Sequence, residues 1–196
     1  MRTLQQPLFT PETEWVPPDR LPDLSSHSEI AIDLETRDPN LMTMGSGSVR
    51  RDGEVVGIAV AVEGWSGYFP IAHEGGGNMD RGLVLDWFEE LLQTTATKIF
   101  HNAMYDVSWI RSLGFYINGG IIDTMIAASL IDENRFSYTL DSIGKEYIGM
   151  RKNENLLKEA AKDFGVNPKA EMWRLPAPFV GEYAEKDAEI TLKLWH

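Results

Sequence analysis

The chain has 196 residues, no cysteine and a formal net charge of −12, with 43% hydrophobic and 24% charged residues. That length and composition suit one globular domain with a substantial core and exclude a disordered chain, disulfides and zinc–thiolate centres. The negative balance excludes broad adhesion to phosphate backbones, though not a nucleic-acid enzyme whose acids face metal ions.

Residues 1–27 are rich in proline and polar groups and read as an extended arm, leaving residues 28–196 as the folded domain. They lack the unbroken apolar core of a signal peptide, and the run GIAVAV at 57–62 is too short to span a bilayer, so a cytoplasmic protein without a membrane segment is expected. Ile30–Leu34 is the first strand, followed by a polar, glycine-punctuated connection over 38–54. VVGIAVAV (55–62) and the run from Trp65 to Ile71 flank Glu63–Gly64 and predict a hairpin. AHEGGGNMD is a flexible loop; no Lys-Ser/Thr follows its glycines, so it is not a phosphate cradle.

Apolar residues at 84, 87, 88, 91 and 92 predict a helix over 81–93. KIFHN (98–102) is a short buried strand, AMYDVSWIRSLG the helix after it, and IIDTMIAASLID a strand end leading into a helix capped by Asp123. SYTLDSIGKEYIG and NENLLKEAAKDFG are amphipathic helices closed by glycine, and a last helix runs from about Phe179 to Trp195. Trp65, Trp87, Trp109 and Phe100 are assigned to the core. Strands alternating with helices make the class α/β.

The stretch IAIDLETRDPN (30–40) runs an apolar strand into Asp33 and Glu35. Residues two apart on a strand share a face, so these carboxylates converge. A divalent cation between them would hold both ionised; without one, a carboxylate would take up a proton. Asp106 follows a second apolar strand in HNAMYD, at the first turn of a helix for which Asn102 is the expected N-cap. In EYAEKDAEI, Tyr183 and Asp187 lie one helical turn apart, while Glu182, Glu185 and Glu189 are placed for solvent or for Lys186 and Lys193. Each element alone is explained as well by surface acids and helix caps.

Together they resemble the DEDD exonucleases of the ribonuclease H-like fold, in the tyrosine subclass. The family pattern is matched in order by Asp33-Leu34-Glu35, by Asn102-Ala103-Met104-Tyr105-Asp106, and by Tyr183-Ala184-Glu185-Lys186-Asp187. The sister subclass needs a histidine where Glu182 stands. The segment IIDTMIAASLIDENRFSYTLDSIGKEYIG is similar to the proofreading domain of a bacteriophage family A DNA polymerase. In those polymerases further domains follow, whereas nine residues follow Asp187 here, so a stand-alone enzyme, a split subunit or a fragment is expected.

The resemblance implies a ribonuclease H-like mixed sheet flanked by helices, and a 3′-5′ exonuclease that uses two divalent metal ions, Mg2+ or Mn2+. It implies Asp33, Glu35, Asp106 and Asp187 as metal ligands, with Asp33 bridging both ions and Tyr183 orienting the attacking water. Two such ions, about 3.5–4 Å apart, can clamp both ends of an in-line displacement. Thr36 and Asn102 are plausible contacts to the terminal nucleotides, and Leu41 with Met42 a wedge against bases. Arg37, Arg135, Lys145, Arg151 and Lys152 are candidate phosphate neighbours. The implied partner is a single-stranded or frayed 3′ end of DNA, with a family A polymerase domain or subunit alongside.

Three other readings compete. A ribonuclease D-like enzyme trimming RNA would carry the same acids. A catalytically silent scaffold would not need all four acids and the tyrosine. A glycoside hydrolase needs two acids and leaves the others unexplained.

Overall fold

A computed structural model of the chain describes Pro7 and residues 10–196; the opening of the expected N-terminal arm lies outside the described residues. Strand β1 (Glu29–Arg37) pairs antiparallel with β2 (Glu54–Val62), which pairs antiparallel with β3 (Trp65–Pro70). On its other side β1 pairs in parallel with β4 (Thr97–Phe100), and β4 in parallel with β5 (Ile121–Asp123). The sheet order is therefore β3-β2-β1-β4-β5, a mixed α/β sheet of the ribonuclease H-like type. The β2–β3 hairpin turns at Glu63–Gly64, where Gly64 takes a φ of 79° that a residue without a Cβ adopts freely.

Between β1 and β2 the expected plain connection holds two single-turn helices, α1 (Leu41–Met44) and α2 (Gly47–Arg50). Short polar side chains create the second: Ser46 accepts from Ser48 N–H, and Asp38 accepts from Gly47 N–H. Helix α3 (Arg81–Gln93) is capped by Asp80, and α4 (Ala103–Ser112) follows β4. Then come α5 (Thr124–Ile131), capped as expected by Asp123, and α6 (Leu140–Ile148). The last helices are α7 (Asn155–Phe164) and α8 (Gly181–Trp195), with two 3-10 turns at Met172–Arg174 and Ala177–Phe179 before α8.

The two faces of the sheet are filled differently. Ile30, Ile32 and Leu34 of β1 join Ile58 and Val60 of β2 against Val84, Phe88, Trp109 and Ile110. The other face carries Ala31, Ala59 and Ala61, packed on Ala184, Ala188 and Leu192 of α8. Alanines on both partners let α8 come close to the sheet, while bulky side chains hold α3 and α4 further off. Trp109 and Phe100 lie in the core as expected, and Trp87 is half-buried; Trp65 is a correction, 37% exposed on the edge strand β3. Lys98 is fully enclosed in β4, satisfied by Thr94 and by the Asn118 carbonyl, and burial pulls its pKa down to about 8. Among the described residues, no helix is long and apolar enough to cross a membrane.

Candidate active site

The site lies on the alanine face. Alternation along β1 puts Asp33 and Glu35 on the same side as Ala31, with Asp33 opposite Ala59 and Glu35 opposite Gly57 of β2. A Cβ at Gly57 would lie 2.0 Å from Tyr68 Oη, so glycine there makes room for a buried tyrosine beside the acids. Past Glu35 the register shifts by a bulge, which turns the strand end carrying Thr36.

Helix α8 brings the third carboxylate. Tyr183 and Asp187 share one face with Ala184 and Ala188 packed beneath, and one oxygen from each of Asp33, Glu35 and Asp187 lies within 4.8 Å of the others. Glu35 and Asp187 are buried, and Asp33 keeps part of its surface open. Asp106 is also buried, on α4, and its Oδ1 accepts from the Leu34 N–H at 3.0 Å, between the two acids of β1. Three acids thus form one cluster, and the fourth is tied to the backbone beside it.

Burial acts on all four, and repulsion between carboxylates adds to it at Glu35, Asp106 and Asp187. Burial raises the Asp33 carboxyl above its ordinary range, against the pull of Lys152. Burial, then Asp33 and Asp187, hold Glu35 well up; burial, then Asp33, do the same to Asp106. Asp187 is pushed up to about 7 by burial, although the Lys152 ammonium draws it down. The Tyr183 phenol is raised far above its usual value by burial and the neighbouring carboxylates, so it keeps its proton at neutral pH.

Hard oxygen donors in this number suit Mg2+ or Mn2+ better than a soft metal. The Oδ1 of Asp187 is buried without a hydrogen-bond partner, an orphaned acceptor beside two other carboxylates. The residues present therefore fit a divalent ion.

Other sequence expectations fare unevenly. Asn102 holds the N-cap position of α4 in a left-handed conformation (φ 67°), but its side chain does not cap. The Asp123 carboxylate takes that role, accepting from Asn102 N–H and Ala103 N–H while capping α5, and Asn102 is left exposed. Glu185 is not solvated: it accepts from Trp15 Nε1 at 2.9 Å and from Tyr68 N–H at 3.2 Å. A tryptophan within a proline-rich arm was the available signal for that contact.

Thr36 shares a hydrogen bond of 2.7 Å with the Tyr105 hydroxyl, Leu41 is 38% exposed, and Met42 is almost fully exposed. Arg37 pairs with Glu54, and Arg135 with Glu146. Lys152 pairs with Asp187 and donates to Tyr183 Oη at 3.1 Å. Beside Tyr183 opens a cleft of about 640 Å3 lined by Arg151, Lys152, Lys158 and Lys169 together with Asp141 and Glu154; Lys152 is paired with Asp187 and Lys158 with Glu154.

A family model described as 3′-5′ exonuclease matches residues 12–196. The chain is 40% identical to a DNA-directed DNA polymerase of Pseudomonas phage M6, over 99% of this chain and 30% of that polymerase. It is 31% identical to DNA polymerase DpoZ of Salmonella phage PMBT28, over 89% of this chain and 27% of the relative. The chain thus spans less than a third of the length of these two polymerases. Among solved structures it resembles the fold of Brucella melitensis NrnC with bound Mg2+, with a TM-score of 0.57, 21% identity and coverage of 88% of this chain and 72% of that one. Escherichia coli RNase D shares the fold at a TM-score of 0.53 and 16% identity, over 87% of this chain and 40% of that one. Sequence motifs, fold and relatives agree: the chain belongs to the 3′-5′ exonuclease family, as a DEDD-type domain like the proofreading domain of family A DNA polymerases.

Proposed function

We propose that the chain removes nucleotides from the 3′ end of single-stranded or frayed DNA, releasing nucleoside 5′-monophosphates, in support of a family A polymerase. The observation that carries this reading is the cluster of Asp33, Glu35 and Asp187, with an orphaned oxygen on Asp187. Asp33, Glu35 and Asp187 would hold one divalent ion, and Asp33 with Asp106 a second. A divalent ion held there would supply activation of the attacking water and stabilisation of charge on the phosphate oxygens. Asp106 is presented by the hydrogen bond it accepts from Leu34, so it keeps one orientation beside Asp33.

Tyr183 keeps its phenolic proton and therefore orients the attacking water instead of deprotonating it. Thr36, Leu41 and Asn102, at the strand end and on neighbouring surfaces, are assigned to the terminal nucleotides. In the mixed-charge cleft beside Tyr183, Arg151 and Lys169 are assigned to phosphates. DNA is favoured over RNA because the relatives at 31–40% identity are DNA polymerases.

The test is digestion of matched 3′-labelled single-stranded DNA and RNA with Mg2+, Mn2+ or chelator. Stepwise shortening of DNA from the 3′ end, with monophosphate products and full loss on chelation, is expected. Faster shortening of RNA would move the reading to the ribonuclease D-like alternative. Metal binding without cleavage of either strand would leave a silent scaffold.

A further inference from the structure

The segment AHEGGGNMD, expected as a flexible loop, is tied down at several points. The Asn78 side chain accepts from His73 N–H at 2.7 Å and donates to the His73 carbonyl at 2.8 Å, which closes the loop on itself. Its other bonds go to the stretch that enters α8. Glu74 N–H donates to the Trp173 carbonyl, and Ala177 N–H to the Gly76 carbonyl, each at 3.0 Å. A Cβ at Gly75 would lie 2.3 Å from Pro176 N, and one at Gly77 2.9 Å from Pro178 Cδ. The glycines therefore bring the loop against the prolines that precede Gly181, where α8 begins.

His73 is the hub of this contact. It is buried, with Nδ1 3.0 Å from the Leu175 carbonyl and Nε2 2.6 Å from Tyr68 Oη. A carbonyl can only accept, so Nδ1 carries the proton. Burial keeps the ring neutral, so Nε2 accepts from the phenol. One nitrogen thus reaches the entry to α8, and the other reaches the strand that carries the acids. Tyr68 stands in the row Asp33–Ala59–Tyr68 across the sheet, and its hydroxyl sits over Gly57, the partner of Glu35.

Resting on the exonuclease reading above, we propose that His73 is a positioning residue for the carboxylate cluster. By holding Leu175 on the α8 side and Tyr68 on the strand side, it keeps Asp187 within the 4.8 Å of Asp33 and Glu35 that lets one ion join them. It acts through those two neighbours.

The two nitrogens can be tested separately. Asparagine can present an N–H where Nδ1 stood, and glutamine a carbonyl where Nε2 stood. His73→Asn therefore keeps the Leu175 bond alone, and His73→Gln the Tyr68 bond alone. Calorimetric titration with Mn2+ is run beside cleavage of 3′-labelled single-stranded DNA over a range of Mn2+, at a temperature where circular dichroism shows every variant folded. The set is the wild type, both His73 variants, Tyr68→Phe, Tyr68→Phe with His73→Asn, and Val84→Ala from the opposite face of the sheet. Each His73 variant and Tyr68→Phe binds Mn2+ about tenfold more weakly, the lower end of the usual loss for groups behind metal ligands. The Mn2+ needed for half-maximal cleavage rises by the same factor. The double variant binds no more weakly than Tyr68→Phe, because both changes delete one bond. Val84→Ala lowers the thermal midpoint and leaves Mn2+ affinity unchanged.

Unchanged Mn2+ affinity in either His73 variant, additive losses in the double variant, or an equal loss of affinity in Val84→Ala would each overturn the proposal. Should a His73 variant fail to fold, unchanged affinity in Tyr68→Phe overturns it alone. A wild-type protein that binds Mn2+ but cleaves nothing defeats the exonuclease reading instead, and the titrations still decide on His73. A wild type that binds no Mn2+ overturns both.

Discussion

Single side chains carry the chemistry, and two substitutions separate their roles. Asp33 repels Glu35 and Asp106, which both sit buried beside it. Asp33→Ala therefore leaves the metal-free thermal midpoint at or above that of the wild type, while cleavage falls by at least about a thousandfold, since several kcal/mol of metal-borne charge stabilisation is lost. Thermal melts and a digestion assay on the same preparation check both halves. Tyr183→Phe removes a hydroxyl and no metal ligand. It slows cleavage about 10- to 100-fold and leaves the Mn2+ isotherm unchanged; full activity would end the water-orienting role. The acids and the tyrosine were readable in the sequence because order and spacing along strand and helix mark them. Lys152 was readable only as one cation among several, because neither its 31-residue separation from Tyr183 nor its 35-residue separation from Asp187 has a local signature.

Secondary-structure elements set how close these groups come. The alanines of β1, β2 and α8 define one thin layer, and Gly57 is one of its two tightest points. Tyr68, whose ring occupies the space there, is fully buried, and its hydroxyl is 2.6 Å from His73 Nε2, so it has nowhere to retreat. Gly57→Ala is expected to destabilise the fold by about 1–3 kcal/mol through overpacking, measured by denaturant unfolding. The strain falls opposite Glu35, so Mn2+ affinity drops with stability. The arm matters in the same layer: Trp15 stacks on Gly181 at the start of α8, where a Cβ would lie 2.0 Å from its ring. Periodicity marked α8 as a helix but said nothing of this clamp, which joins residues 170 apart through Glu185.

The molecule as a whole responds to pH through the cluster. A carboxyl raised by folding holds a proton where the unfolded chain has lost it, so metal-free stability declines as pH climbs from the ordinary carboxyl range to about 7, the value for Asp187. His73, kept neutral by burial and lowered to about 4, acts with the opposite sign as pH rises from about 4 toward its ordinary 6.5. Lys152, raised above 10.5, contributes nothing in that window, since it stays charged in both states. The clean observable is therefore the increment in thermal midpoint caused by saturating Mn2+. Metal must displace protons from the acids, so the increment grows between about pH 5 and pH 8. Asp187→Asn flattens its upper half; an increment independent of pH would separate metal binding from these carboxyls.

Repeating patterns of two and 3.6 residues, glycine stops and short-range caps were enough to read the strands, the hairpin, the major helices and the ordered acidic motifs from the chain alone. Each depends on neighbours within a few positions, which the order of residues states directly. Folding settled which distant groups touch: Asp123 capping α4 in place of Asn102, Trp15 on α8, Lys152 between Tyr183 and Asp187. Those meetings depend on strand order and on the gap between helix and sheet. That gap is narrow only because small side chains line both of its walls, a property of packed surfaces with no counterpart in any short stretch of chain.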